Sequence, residues 1–460
     1  MNAPFRSRES GASAWRLLYS LAWWLATPFL LGSLVWRARR QRGYLLAIPE
    51  RFGFLRPRAA GGRLVWVHAV SVGETRAAEP LVRAMAARSP DVEFLLTHMT
   101  PTGRETGAAI FADLIGSGRM RQAWLAWDYP GATRRMLARA RPVLGMLMET
   151  ELWPNLVFAA KRARIPLALV NARLSDRSLR RGRRWGALIV PALSSLDRVI
   201  AQTAADAERL AELGRADVTV AGNVKFDITP PEQALERGRR WRQAFLVLTQ
   251  RPSIVLAAST RDGEEAQLLK AWRDLYRAFD PALLPLLVLV PRHPQRFNEV
   301  AELARAEGFA VLRRSALDID SLSDSSIPVG LPTCQVLVGD SMGEMFSYYA
   351  MADAAIMGGT LLPWGGQNLI EACAAGLPVV LGPHTFNFDE ASANAVAEGA
   401  AVRVPDAEQA AHVALALVND PNTLARAGEC ALRFATQHRG ATDRTLTALQ
   451  PLLSPHARSQ

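Results

Sequence analysis

From Leu17 to Trp36 the chain carries no charged side chain (LLYSLAWWLATPFLLGSLVW), with Arg16 before it and Arg37, Arg39, Arg40 and Arg42 behind. A helix of about 20 residues crosses a bilayer core, and Trp23, Trp24 and Trp36 suit its polar margins. The pattern predicts a membrane anchor over residues 1–45, with the arginines behind it keeping the rest of the chain on the cytoplasmic side. Pro28 would kink a spanning helix, so a helix lying in the interface fits the same residues. No small-residue cleavage site follows, which argues against a removed signal peptide. No later segment is long and apolar enough to span.

Past the anchor, short apolar runs alternate with helical periodicity. The first series of candidate strands is Leu64–Ala69, Phe94–Thr97, Val143–Met148, Leu167–Asn171, Arg198–Ala201 and Val218–Ala221. An Arg- and Gln-rich helical stretch follows at Glu232–Gln250. The second series is Ile254–Ala258, Leu286–Val290, Ala310–Leu312, Cys334–Val338, Ala354–Met357 and Val379–Leu381. Strand–helix–strand alternation predicts α/β architecture with mostly parallel sheets. A chain of 460 residues exceeds one ordinary core. Two consecutive doubly wound, Rossmann-like domains are expected, over residues 46–240 and 241–450, with ligands at the carboxyl ends of strands and in the crevice between domains. Ser315–Pro332 reads as a polar loop and Ser454–Gln460 as a disordered tail.

Hydrophobic content of 49% excludes wholesale disorder. A formal charge of +11 points to an anionic partner: a nucleic acid, an acidic membrane surface or a phosphorylated substrate. No basic helix interleaved with aromatics supports the first. Nearly all the basic residues are arginine, lysine standing only at positions 161, 225 and 270. Cys334, Cys373 and Cys430 are widely spaced and odd in number, which fits a reducing compartment and neither a disulfide framework nor a zinc site. His68, His98, His293 and His384 lack paired metal-ligand spacing, and Asp318–Asp320 is an Asp-x-Asp in the polar loop, so no metal is expected.

Several strand ends carry candidate chemistry. Glu74 follows the first run on a Gly73 hinge, where helix amides favour an ionised carboxylate. There it serves equally as a helix cap or as a base for an attacking hydroxyl. Glu149 and Glu151 in METELWPN follow the Val143–Met148 run, and on an extended segment both would face one side. Arg173 and Arg177 in NARLSDRS are possible phosphate contacts. Lys225 in AGNVKFD offers a compact cation. In the second series, Pro291-Arg292-His293 ends a buried strand. Ser341–Glu344 would present helix amides to a phosphate, and Asn368 and Glu371, neighbours on one helix face beside a Gly pair, suit a ribose diol. Three such pieces in order indicate nucleotide binding.

Taken as a set, HAVSVGE, METELWPN, NARLSDRS, GNVKFD, PRHPQRF, GDSMGEM and GGQNLIEACAAGLPVVLGP closely resemble the 3-deoxy-D-manno-octulosonic acid (Kdo) transferases of Gram-negative bacteria, over nearly the whole chain. RGYLLAIPERFG (Arg42–Gly53) fits as well. The last motif alone would indicate only a GT-B glycosyltransferase. The resemblance implies a GT-B fold, two Rossmann-like domains facing a cleft. It implies CMP-Kdo as donor co-substrate with no separate cofactor, and the lipid A precursor (lipid IVA) as acceptor. It further implies an inner-membrane location at the cytoplasmic face, and an inverting, metal-independent step of lipopolysaccharide core biosynthesis. Glu74 would be the general base, and Glu149, Glu151 and Lys225 would stabilise the transition state. Pro291, Arg292, Met342, Gly343, Glu344, Asn368, Leu369, Ile370 and Glu371 would hold CMP. An epimerase-like enzyme on the same fold and a non-catalytic membrane-bound nucleotide-sugar-binding protein are the alternative readings.

Overall fold

The apolar runs become parallel strands in a computed structural model that describes residues 5–39, 41–57, 61–317 and 331–453. Arg40, Asp318–Asp320 and the tail Ser454–Gln460 lie outside the described residues. The first sheet comprises β1 (Arg63–His68), β2 (Val92–His98), β3 (Met120–Trp124), β4 (Leu144–Met148), β5 (Leu167–Ala172), β6 (Arg198–Ala201) and β7 (Thr219–Val220). Their order is β3-β2-β1-β4-β5-β6-β7. The second comprises β8 (Ile254–Thr260), β9 (Leu286–Pro291), β10 (Val311–Arg313), β11 (Val336–Val338), β12 (Ala354–Met357), β13 (Val379–Leu381) and β14 (Ala401–Arg403), in the order β10-β11-β9-β8-β12-β13-β14. Every strand pairing is parallel.

Parallel sheets need cover on both faces, and β1 shows how the sequence provides it. Leu64 and Trp66 enter one core cluster and Val65 and Val67 the other, as a period of two requires. The helix Val72–Arg88 covers the second face with Ala77, Ala78, Leu81, Val82 and Met85. The C-terminal helix Ala441–Leu453 adds Leu446 and Leu449 to the same cluster. Two edge strands, β3 and β14, fall outside the expected set. β3 (MRQAW) carries an arginine and a glutamine, and β14 is only three residues long, so neither shows a continuous apolar run.

The chain divides into two compact units, residues 1–227 with 438–460, and residues 228–437. These bounds differ from the expected 46–240 and 241–450. The helix Glu232–Thr249 lies wholly in the second unit, packed on the helix Met345–Met351. Gly238 allows that approach, since a Cβ there would stand 2.3 Å from the Ser347 carbonyl oxygen. The last helix belongs to the first unit because its apolar face completes that core. The N-terminal helix runs unbroken from Phe5 to Ala38 through Pro28 and packs on the first unit.

In the first unit the chain winds from β1 outward to β3 and then crosses to place β4 on the other side of β1. The reversal makes a topological switch point between the carboxyl ends of β1 and β4, where doubly wound sheets bind their ligands. The second unit has its switch point between β8 and β12.

Candidate active site

The switch point of the first unit gathers the carboxylates singled out in the sequence. Ser71 caps the helix Val72–Arg88 by accepting from the Glu74 amide at 3.4 Å. Its hydroxyl donates to Glu74 Oε1 at 3.1 Å, and the Val70 amide donates to Glu74 Oε2 at 2.8 Å. Glu74 is thus a cap, with its carboxylate turned back over the first turn. The expectation that the helix start keeps it readily ionised does not hold. Burial raises its pKa to about 7, against the opposing hydrogen bond from Val70, and the negative charges of Glu151 and Glu149 add to the rise. Desolvation outweighs the helix amides, and a carboxylate balanced near neutrality results.

Glu149 and Glu151 follow β4 in a turn, not on an extended segment. Glu149 occupies the left-handed region at φ 56°, a conformation that costs a non-glycine residue roughly 1 kcal/mol or more. The turn sends the two carboxylates to different partners. Glu149 Oε1 accepts from Lys225 Nζ at 2.7 Å, whereas Glu151 Oε2 accepts from the indole N–H of Trp153 at 2.9 Å. Lys225 sits in a short 3-10 turn, Val224–Phe226. Asn223 Oδ1 accepts from its amide, and Asn171 Oδ1 at the end of β5 accepts from the Val224 amide. The first unit therefore brings Glu74, Glu149, Glu151 and Lys225 to one sheet end.

His68 joins them, although its role was not legible in the sequence. It ends β1, is fully buried, and its Nε2 lies 3.8 Å from Glu151 Oε2 without a hydrogen-bond partner among the described residues. Its Nδ1 stands 3.0 Å from Thr97 Oγ1, which in turn accepts from the Trp66 indole at 2.8 Å. The signal that could have found it is positional: His68 ends the strand at the switch point. Among the described residues no group of three or more His, Cys, Asp or Glu side chains is arranged to hold a metal ion.

In the second unit the residues expected to hold a nucleotide follow β9, β11 and β12. The Arg292 amide donates to the Thr260 carbonyl at 3.0 Å, tying the end of β9 to that of β8. Met342 is exposed and Gly343 has φ 79°; both precede the helix Met345–Met351. The Glu344 carboxylate accepts from Arg314 at 3.1 Å and has Arg237 at 3.8 Å. Asn368 caps the helix Leu369–Ala374 and donates to Glu371 Oε1 at 3.1 Å. Leu369 and Ile370 are fully buried and serve the core, and the Ile370 amide donates to Asn368 Oδ1 at 3.2 Å.

Two features of this unit escape the motifs. Arg261, just past β8, contacts His293 Nε2 at 2.9 Å and lies over the Trp364 ring at 4.7 Å. Glu264, fully buried, accepts from the amides of Arg261, Gly359 and Leu361, closing the loops on both sides of the switch point. Burial raises its pKa against those hydrogen bonds. Gly365 is required beside them, since a Cβ there would meet the Phe386 ring at 2.4 Å and its φ is 90°.

Two parallel, doubly wound units with polar residues collected at their switch points define a protein of the GT-B fold class. Comparison with a UDP-GlcNAc 2-epimerase from Neisseria meningitidis bound to UDP-GlcNAc shows likeness of fold alone. That structure is 13% identical, with a TM-score of 0.54, over 85% of this chain and 100% of the other. A family model described as 3-deoxy-D-manno-octulosonic-acid transferase (kdotransferase) matches residues 47–228, and one for glycosyl transferases group 1 matches residues 322–433. A 3-deoxy-D-manno-octulosonic acid transferase of Bordetella pertussis is 49% identical over 433 residues, 92% of this chain and 97% of its own. Its counterpart in Haemophilus influenzae is 34% identical over 450 residues, 95% and 99% of the two chains. The chain belongs to the Kdo transferase family of glycosyltransferases.

Proposed function

We propose that this protein transfers Kdo from CMP-Kdo to a hydroxyl of the lipid A precursor lipid IVA, with inversion, without a metal, and with Glu74 as the general base. The observation that carries the reading is Glu74 itself. It is a carboxylate at the switch point with a pKa of about 7, so it is partly ionised at neutral pH and holds a captured proton well. In the step, the acceptor oxygen forms a bond to the anomeric carbon of Kdo and its proton passes to Glu74. The bond from that carbon to the CMP phosphate breaks, and CMP leaves with the electron pair.

The transition state carries positive charge on the sugar and negative charge on the departing phosphate. Glu149 and Glu151 would serve the first, and Lys225, paired with Glu149, the second. Arg292, the Met342–Glu344 turn, and Asn368 with Glu371 are the groups assigned to CMP. Leu369 and Ile370, buried in the core, would hold Asn368 and Glu371 in place beside CMP. The apolar N-terminal helix suits an enzyme whose acylated acceptor stays in the inner membrane, with the chain at its cytoplasmic face.

The test is transfer by the purified full chain, read as the mass of the lipid product and as CMP release. Transfer with CMP release that requires the acceptor supports the proposal. CMP-Kdo turnover indifferent to acceptor would favour an epimerase-like or hydrolytic enzyme, and no turnover would leave a binding protein.

A further inference from the structure

The N-terminal helix has two unlike faces. Ser20, Trp23, Thr27, Leu30, Leu34 and Ala38 recur every three or four residues, and all are wholly or partly buried against the first unit. The contacts run along the whole apolar segment. Near its start, Asn155 Nδ2 donates to Ser20 Oγ at 3.1 Å. Midway, the Trp23 ring lies 5.6 Å from Tyr129 and 6.0 Å from Trp153, and Thr27 Oγ1 is 2.6 Å from the Tyr129 hydroxyl. Toward its end, Leu34 joins the core cluster that holds Leu55 and Met136.

The other face is exposed to solvent among the described residues. Leu18, Leu21, Leu25, Phe29, Val35 and Trp36 are between 54% and 84% exposed. Ala14–Ala38 is long and apolar enough to cross a membrane. Crossing would require the helix to leave the first unit over about 30 Å. That would strip Tyr129, Asn155 and the core of their partners and carry Ser20 and Thr27 into hydrocarbon. A helix lying along the surface keeps the docked face in place and sinks only the exposed one.

Charge next to the exposed face identifies the occupant. Trp15 meets Trp185 edge to face, with ring centroids 6.4 Å apart. Trp185 ends the helix Asp176–Arg184, whose Arg180, Arg181 and Arg184 are exposed. A tryptophan pair with cations beside an apolar stripe matches the headgroup zone of an anionic bilayer.

We propose that the N-terminal helix lies in the plane of one membrane leaflet without crossing it, with the exposed leucine and phenylalanine face in the hydrocarbon and Arg180, Arg181 and Arg184 against anionic headgroups. Both ends of this helix are then on the same side of the membrane as the two units. The proposal rests on the reading of a membrane-held acceptor but concerns only how the chain meets the lipid.

A protease-cleavable tag ahead of Met1 of the full chain reads the topology in sealed membranes. The expected result is cleavage in inside-out vesicles and protection in intact spheroplasts; cleavage from outside spheroplasts overturns the proposal. Vesicles of phosphatidylethanolamine with phosphatidylglycerol read the surface. Leu25→Asp with Phe29→Asp should abolish sedimentation with them, and Arg180→Ala, Arg181→Ala and Arg184→Ala together should weaken it at least tenfold at low salt. Unchanged binding by both variants overturns the proposed surface. Both variants should keep wild-type Kdo transfer to detergent-dispersed precursor. Absence of transfer by the wild type itself would instead count against the enzymatic reading.

Discussion

Lys225 Nζ donates to Glu149 Oε1 at 2.7 Å, joining the turn after β4 to the segment after β7. Both side chains are less than one-fifth exposed, so the pair is little screened by water. Lys225→Ala removes the cation proposed to stabilise the departing phosphate and deprives Glu149 of that ion pair. It should lower kcat by about 10²–10³-fold. Lys225→Arg should restore little, because a planar guanidinium does not replace a compact ammonium. Steady-state kinetics with CMP-Kdo check both, and full rescue by arginine would reduce Lys225 to a generic positive charge.

Glu74→Gln should separate stability from activity. The folded pKa of Glu74 is raised from 4.5 to about 7, so between those values the folded state binds more protons than the unfolded. Stability therefore falls as pH rises through that window, and the ionised carboxylate remains destabilising above about 7. Glutamine removes the half-buried charge, and at pH 8 the variant should be more stable by about 1–3 kcal/mol while transfer is lost. Denaturant unfolding at pH 5 and pH 8 checks the sign, and the gain should nearly vanish at pH 5.

The pH dependence of transfer should carry an acid limb near pH 7, because Glu74, as the proposed base, acts only when deprotonated. Since the charge of Glu151 helps to raise the pKa of Glu74, Glu151→Gln should move that limb to lower pH even as it lowers the maximum rate. A limb that stays in place would remove Glu151 from the electrostatics of the base.

His68 should matter through one ring nitrogen. Nδ1 faces the Thr97 carbonyl at 3.1 Å and the Thr97 hydroxyl at 3.0 Å, whereas Nε2 faces Glu151, 3.8 Å away. Glutamine presents an amide near the Nε2 position and asparagine near Nδ1. His68→Gln should keep most of kcat, and His68→Asn should lose about tenfold or more with an altered acid limb. Equal loss in both, with an unchanged pH profile, would mark His68 as a packing residue.

Glu264→Ala should unfold the second unit first. It deprives the Arg261, Gly359 and Leu361 amides of their buried acceptor, at a cost of about 2–4 kcal/mol. Calorimetry should show the lower-melting transition shift and CMP affinity fall with it.

The strands that carry the site were legible because a parallel strand buried on both faces is a continuous apolar run, as in LVWV of β1 or LLVLV of β9. The edge strand β3 was not, since MRQAW is half polar. Glu74, Glu149 and Lys225 were legible as strand-end residues, but the order of the strands was not. Strand order makes β1 and β4 neighbours, brings His68 to Glu151, and gives Glu264 its three amides. The environment of Glu74 was misread for the same reason. Its helix start is written locally, whereas its burial beside Glu149 and Glu151 depends on residues some 75 positions away. The extent of the second unit escaped too, because the packing of Glu232–Thr249 on Met345–Met351 is set by tertiary contact.

The most direct test of the account is mass spectrometry of the lipid after incubation of CMP-Kdo and the tetraacyl disaccharide precursor with the wild-type chain and with Glu74→Gln. One or more Kdo mass increments are expected with the wild type and none with Glu74→Gln, although the variant still binds CMP. Substantial Kdo addition by Glu74→Gln would contradict the proposed role of Glu74.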